Sequence, residues 1–322
     1  MLAMRTLGKT GITVSPLCFG GNVFGWTADE AQSFRLLDRF VDAGFNFIDT
    51  ADIYSSWVPG HQGGESETIL GKWLKQVGNR EKVVIATKVG KPMGEGKSGL
   101  KSHYIQQAVD ASLQRLQTDY IDLYYTHEDD PSTPLEETLQ ALSDLVKTGK
   151  VRSLGASNYT GARLTQAMDA AKKLGVAGFE VLQPGYNLYD REEYERDLLP
   201  VVQAHGLAVA PFYALAAGFL TGKYRTQADA EKSVRGARVV ETYLNPRGLL
   251  ILQKLDEVAD RYVATPGQVA IAWLLSQPGI VAPIASATTD EQLDELLFAA
   301  RLKLDKDALH ELTMVSAPAD SQ

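Results

Sequence analysis

The sequence predicts a closed barrel of eight parallel strands, each followed by a helix, with an N-terminal β-hairpin: the (β/α)8, or TIM barrel, class of α/β fold. Three observations carry this. Short apolar runs rich in Val, Ile, Leu, Phe and Tyr recur eight times, longer segments of helical period separate them, and no Pro/Ser-rich linker breaks the succession. Apolar runs bounded by turn residues suit strands buried on both faces, and their alternation with helices requires right-handed crossovers in a parallel sheet. With 44% apolar content, the 322 residues are read as one domain spanning 1–322, because such barrels of about 250 residues or more commonly form a single unit.

The segment from Met4 to Val14 precedes the first barrel strand, and its central Lys9, Thr10 and Gly11 between apolar flanks predict a small hairpin covering the barrel's lower end. Strands are expected near 14–20, 45–49, 82–89, 120–127, 151–157, 179–185, 207–213 and 280–284. Helical patterns lie near 28–43, 65–77, 102–117, 134–148, 160–174, 191–205, 247–263 with 266–276, and 290–299. Thr133, Pro134 and Glu136 read as an N-cap, a proline at the first helical position and a capping-box acid, with Gly149 as the stop. The least regular stretch, 214–246, carries Gly218, Gly222, Gly236, Arg225, Arg235 and Arg238 and predicts a flexible cover over a ligand. The tail 317–322 has no bulky apolar residue and is not expected to close a pocket.

Composition narrows the function classes. A net charge of −8, from 40 acidic and 32 basic residues, leaves no basic stripe for a nucleic-acid backbone, and nucleic acid is not an expected partner. The single cysteine, Cys18, sits inside the run from Val14 to Phe19 and reads as a small buried hydrophobe. No window reaches the ~18 apolar residues of a membrane helix, and no cleavable leader is evident, so a cytoplasmic protein without a membrane partner is expected. Gly94, Gly96, Lys97 and Ser98 imitate the end of a phosphate-binding loop. Lys91 stands where its first glycine belongs, and Gly99 follows where a helix should start. The five histidines are scattered without a metal-ligand pair, so no metal is predicted.

Four polar residues remain at the carboxyl ends of three successive strands: Asp49 and Tyr54, Lys88, and His127. In a parallel barrel these ends open on one face, where residues distant in sequence converge. Singly each has a plain reading: an Asp–Tyr hydrogen bond, a lysine paired with Asp49, a core histidine satisfied by backbone. Together they suit proton transfer to a carbonyl oxygen. A phenol near its ordinary pKa of ~10 is a weak acid, and the Lys88 ammonium is expected to lower that value. Asp49 would hold Lys88, and His127 would donate a hydrogen bond to the carbonyl.

These residues resemble the aldo-keto reductase superfamily over nearly the whole chain. The matching segments are Phe47 to Tyr54 (FIDTADIY), Ala86 to Lys88 (ATK), Asp122 to His127 (DLYYTH) and Lys147 to Tyr159 (KTGKVRSLGASNY). The resemblance implies an oxidoreductase that reduces aldehydes or ketones to alcohols, or the reverse, with Asp49, Tyr54, Lys88 and His127 as its tetrad and Tyr54 as general acid/base. The hydride would come from C4 of a nicotinamide dinucleotide, NADP(H) first, with NAD(H) possible. It also implies a cofactor site: Gly21 and Asn22 in the first turn; Ser157, Asn158 and Gln183 on the carboxamide; Phe212 where a stacking tyrosine is usual; Leu215, Gly218, Leu220 and Lys223 at the pyrophosphate; Ser286, Thr288, Gln292 and Glu295 at the adenosine end. Residues 283–295 depart from the family in lacking Lys or Arg. Ser286, Thr288 and Gln292 can donate only neutral hydrogen bonds to a 2′-phosphate, so preference for NADP is weakened unless an arginine from 225–238 reaches it.

Phe24, Trp26 and Trp57, in the loops after strands one and two, are the expected aromatic wall of the substrate pocket. The expected partner is a small carbonyl or alcohol, with no obligate protein partner inferred. Two other readings stand beside this one: a Schiff-base aldolase using Lys88, and a cofactor-sensing regulatory subunit, since some relatives of the family bind channels.

Overall fold

A computed structural model describes residues 2–78 and 80–318; Ala319 to Gln322, the end of the tail, lie outside the described residues. The N-terminal strands β1 (Arg5–Thr6) and β2 (Thr13–Val14) pair antiparallel. Gly8 and Gly11 take the positive φ values of their turn. Leu7, Ile12 and Val14 are buried and pack with Phe47, Val84, Leu123, Val181 and Ala208 inside the barrel. The hairpin therefore stoppers the end away from the strands' carboxyl termini. Arg5 fastens it, donating to the carbonyls of Ile280 (2.7 Å) and Leu275 (3.2 Å).

Eight parallel strands follow: β3 (Cys18–Gly20), β4 (Phe47–Asp49), β5 (Val84–Val89), β6 (Ile121–Thr126), β7 (Val151–Ser157), β8 (Val181–Gln183), β9 (Ala208–Val209) and β10 (Ile284–Ala285). Their order is β10-β3-β4-β5-β6-β7-β8-β9. The ring closes through backbone bonds between its ends: Val209 N–H to the Gly279 carbonyl, Val281 N–H to Val209 and Ile284 N–H to Pro211. The (β/α)8 barrel and its hairpin are thus as expected. The run 14–20, however, splits into β2 and β3, because Pro16 has no N–H for a ladder.

The helices are α1 (Glu30–Asp42), α2 (Glu65–Val77), α3 (Ser102–Leu116), α4 (Leu135–Lys147), α5 (Gly161–Leu174), α6 (Leu199–His205), α7 (Gly236–Tyr243), α8 (Pro246–Tyr262), α9 (Pro266–Leu275), α10 (Asp290–Ala299) and α11 (Lys306–Val315). Asp29, Thr160, Asn245, Thr265, Thr289 and Asp305 cap six of them with side-chain oxygens. The cap expected at α4 is absent: Thr133 gives its hydroxyl to Asp130 (2.6 Å), Pro134 sits at the cap, and no capping box forms. A second correction concerns 214–246. It is not irregular but folds into helical turns at Ala216–Thr221 and Gln227–Lys232, then α7. A capping box between Thr226 and Asp229 and a 2.7 Å contact between Tyr224 and Ser233 hold it together.

The period of two along each strand separates two layers. Phe47, Val84, Ala86, Leu123, Tyr125 and Val181 point into the barrel, whereas Ile48, Ile85, Tyr124 and Leu182 face the helices. Two residues beyond the inward positions, on the same face, come Asp49, Lys88, His127 and Gln183. The rule that packs the core delivers these polar side chains to the open end.

Candidate active site

Lys88 is the centre of the constellation. Its side chain is 0% exposed, and its three donors are all used: Asp49 Oδ2 at 2.6 Å, the Thr50 carbonyl at 2.7 Å and Tyr54 Oη at 2.8 Å. Asp49 is buried too, and its second oxygen accepts from Gln183 Nε2 at 2.8 Å. A buried charge is tolerable only when paired and fully hydrogen-bonded, and here both partners are. Tyr54 completes the network from the turn after β4. It accepts from Lys88 and donates to Asp49 Oδ2 over 3.3 Å, a long bond that leaves its proton weakly held.

The electrostatics correct one expectation. Burial first, then the Asp49 carboxylate, push the Tyr54 phenol well above its ordinary value rather than below it. Burial likewise lowers Lys88, although Asp49 works against it. The phenol therefore keeps its proton at neutral pH. His127, after β6, has its ring 6.0 Å from that of Tyr54 at 73°. Burial, then Lys88 and Lys91, drive its pKa well below the usual histidine range, so the imidazole is neutral. Its Nδ1 is buried without a partner among the described residues, which leaves Nε2 as the ring nitrogen that can meet another molecule.

Around this centre the candidate cofactor residues gather as follows. Ser157 and Gln183 end adjacent strands β7 and β8, the Ser157 hydroxyl donating to the Gln183 carbonyl at 2.8 Å. Asn158, at φ 55°, donates to the His127 carbonyl at 2.8 Å. With those amide donors engaged, the side-chain oxygens of Asn158 and Gln183 remain to receive the N–H₂ of a carboxamide. Phe212, half-buried beside Gly185, offers a flat ring. Tyr213, Ala216, Ala217 and Gly218 all have positive φ, and the Ala216 and Gly218 N–H groups close the turn on the Tyr213 and Leu215 carbonyls at 2.7 and 2.9 Å. At Gly218, φ is 96°, and an added Cβ would lie 3.5 Å from the Lys223 ammonium. Leu215 and Leu220 flank this turn, Leu220 N–H bonding to the Leu215 carbonyl.

Gly21 and Asn22 lie on the short turn Gly21–Val23, where Ser286 Oγ is 2.7 Å from both the Gly20 carbonyl and Asn22 Oδ1. The Gln292 side-chain oxygen accepts from the Thr288 N–H at 2.8 Å, and Glu295 accepts from Thr265. Arg225 does not reach this end: Asp256 holds it at 2.7 Å. Arg35 and Arg39, on α1, do approach it, with Arg35 3.4 Å from Asp290 and Arg39 2.5 Å from Asp294. Sequence reading missed these two cations, which come from the opposite end of the chain.

Trp26 and Trp57 meet edge to face at 5.5 Å, and Trp57 stands 6.1 Å from Tyr54, so both line the approach to the phenol. Phe24 does not. It is fully buried on the outer side of the barrel wall and stacks on Phe19, because the turn at Gly21–Val23 rotates it inward against α1 and α2.

The profile of the Aldo/keto reductase family matches residues 16–317. The chain is 37% identical to an uncharacterized oxidoreductase, YrpG, of Bacillus subtilis, over 95% of this chain and 93% of that one. It is 36% identical to a probable voltage-gated potassium channel subunit beta of Arabidopsis thaliana, covering 90% and 89%. It is 35% identical to the norsolorinic acid reductase stcV of Emericella nidulans, covering 94% and 78%.

Proposed function

We infer that this chain, which belongs to the aldo/keto reductase family and so to a family of oxidoreductases, reduces aldehyde or ketone groups to alcohols, or runs the reverse, with a nicotinamide dinucleotide. The observation that carries the reading is the Tyr54 phenol, held at 2.8 Å by a buried ammonium beside a neutral His127. The dinucleotide, when bound, supplies the hydride from C4 of its nicotinamide. The remaining work falls to side chains of this chain.

In reduction, Tyr54 gives its proton to the carbonyl oxygen as the oxygen gains charge, and His127 steadies the same oxygen through an N–H. Lys88, fixed by Asp49 and Thr50, stabilises the phenolate left behind. General-acid help of this kind contributes roughly 10²–10⁴-fold, and a positioned donor to the oxygen roughly 10²–10³-fold. In oxidation the phenolate takes the alcohol proton. Because burial holds the phenol protonated at neutral pH, reduction should dominate there and oxidation should rise towards alkaline pH.

The residues present fit a nicotinamide dinucleotide: acceptor oxygens at Asn158 and Gln183, a ring at Phe212, and the Lys223 ammonium beside the Gly218 turn. NADP(H) is the first choice, with NAD(H) as an alternate, since the cations nearest residues 286–295 are engaged by Asp290 and Asp294. The test is a panel of aldehydes, ketones and alcohols followed at the reduced-nicotinamide absorbance with NADPH and with NADH. Turnover of none of them would refute the reading.

The likeness to a protein named as a channel subunit favours a second reading, a cofactor-sensing regulatory subunit. Tight dinucleotide binding without turnover across the panel would favour it. Schiff-base chemistry at Lys88 is less well supported, because its ammonium is buried and committed to three acceptors. Borohydride trapping of substrate on Lys88 would reinstate it.

A further inference from the structure

The segment leading into α7 brings one arginine across to the loop after β3. Arg235 lies over the Trp26 ring, 4.8 Å from its centre. From there an aromatic row runs inward, Trp26 to Trp57 and Trp57 to Tyr54, so the guanidinium stands at the outer end of the wall that leads to the phenol.

Its position is built into the fold. Gly236 tolerates no side chain, since a Cβ there would meet the Ala230 carbonyl oxygen at 2.0 Å, and this fixes the turn that carries Arg235. Ser233 ties that turn to Tyr224 at 2.7 Å and accepts the Arg235 backbone N–H at 3.2 Å. Neighbouring cations are occupied elsewhere: Arg225 by Asp256 and Lys232 by Asp229, while Arg238 is exposed on α7. Arg235 has no carboxylate within ion-pair distance among the described residues. Stacked on an indole, a guanidinium keeps its in-plane N–H donors free, and their geometry suits a carboxylate.

We propose that Arg235 determines substrate specificity, and that the pocket takes an aryl aldehyde or ketone bearing a carboxylate on the ring position opposite the carbonyl. The aryl ring lies along Trp26 and Trp57, its carbonyl meets Tyr54, and its carboxylate meets Arg235. The inference rests on the carbonyl-reduction reading above.

The test compares 4-carboxybenzaldehyde with benzaldehyde in wild type, Arg235→Met and Arg235→Lys. Two quantities are measured: kcat/KM with NADPH, and the dissociation constant in the NADP⁺ complex by tryptophan fluorescence, where no reduction occurs. A charge-assisted hydrogen bond lost on truncation predicts that the ratio of carboxylated to plain aldehyde falls at least about tenfold in Arg235→Met. Arg235→Lys should recover part of it, because the charge stays and the fork is lost. Wild-type preference for the carboxylated aldehyde with that loss supports the proposal. An unchanged ratio in Arg235→Met overturns it while leaving carbonyl reduction intact. If wild type turns over neither aldehyde, the panel above still decides the reductase reading, and the binding ratio alone decides whether Arg235 recognises the carboxylate: a ratio unchanged in Arg235→Met overturns the proposal.

Discussion

Replacing Lys88 by Met keeps the unbranched stem and deletes the ammonium. The wild-type charge sits in a site with no solvent exposure, bonded to Asp49, the Thr50 carbonyl and Tyr54 at 2.6, 2.7 and 2.8 Å. The variant leaves the Asp49 carboxylate buried, with Gln183 as its one strong donor at 2.8 Å. Breaking one side of a buried pair costs about 3–5 kcal/mol, and both side chains of this pair are shielded from solvent. Denaturant titration should therefore show Lys88→Met less stable by about that amount. Asp49→Asn combined with Lys88→Met removes the orphaned charge and should recover more than half of the loss, a strong coupling of neighbours. Carbonyl reduction should fall by roughly 10²–10⁴ in both variants, since neither can stabilise the phenolate. A Lys88→Met protein as stable as wild type, or a double variant that recovers nothing, would refute the electrostatic argument.

Two further outcomes follow from the same geometry. His127 has a folded pKa well below its usual value, so the unfolded chain takes up a proton first as pH falls; stability should drop below about pH 6.5, by up to ~1.4 kcal/mol per unit. His127→Gln, measured by denaturant titration from pH 8 to 5, should lose that part of the slope, and an unchanged slope would assign it to other groups. Gln292→Arg places a permanent charge at the start of α10, and should tighten NADPH by on the order of 1 kcal/mol or more, several-fold or better, with NADH unchanged. Equal tightening of both would mean that residue 292 does not meet the 2′-phosphate.

The barrel and the gathering of the four polar residues were legible because both depend on short-range rules. Strand period places Asp49, Lys88 and His127 two residues past inward positions, and a five-residue step brings Tyr54 to the same cavity. What escaped depended on contacts across the chain. Arg35 and Arg39 reach the start of α10 only because α1 packs beside it, after ring closure joins β3 to β10. The order within 214–246 rests on the Thr226–Asp229 cap and the close approach of Gly236 to Ala230. Of these, the cap was readable, since Thr226 and Asp229 stand at capping-box spacing. Helix α11 likewise carries a readable signal in Asp305 at its N-cap. Phe24 was misplaced because a loop aromatic does not reveal which side of the wall it faces. The Lys88 ammonium taken alone predicts an acidified phenol, and the burial around both groups, invisible in the local sequence, reverses the direction.

Tyr54→Phe tests the central claim most directly, because it removes one hydroxyl and keeps the ring against Trp57 and His127. NADPH affinity, read by fluorescence titration, should be nearly unchanged, while turnover of the best carbonyl substrate falls by roughly 10²–10⁴. Wild-type turnover in a folded Tyr54→Phe protein would contradict the account and leave His127 as the candidate acid.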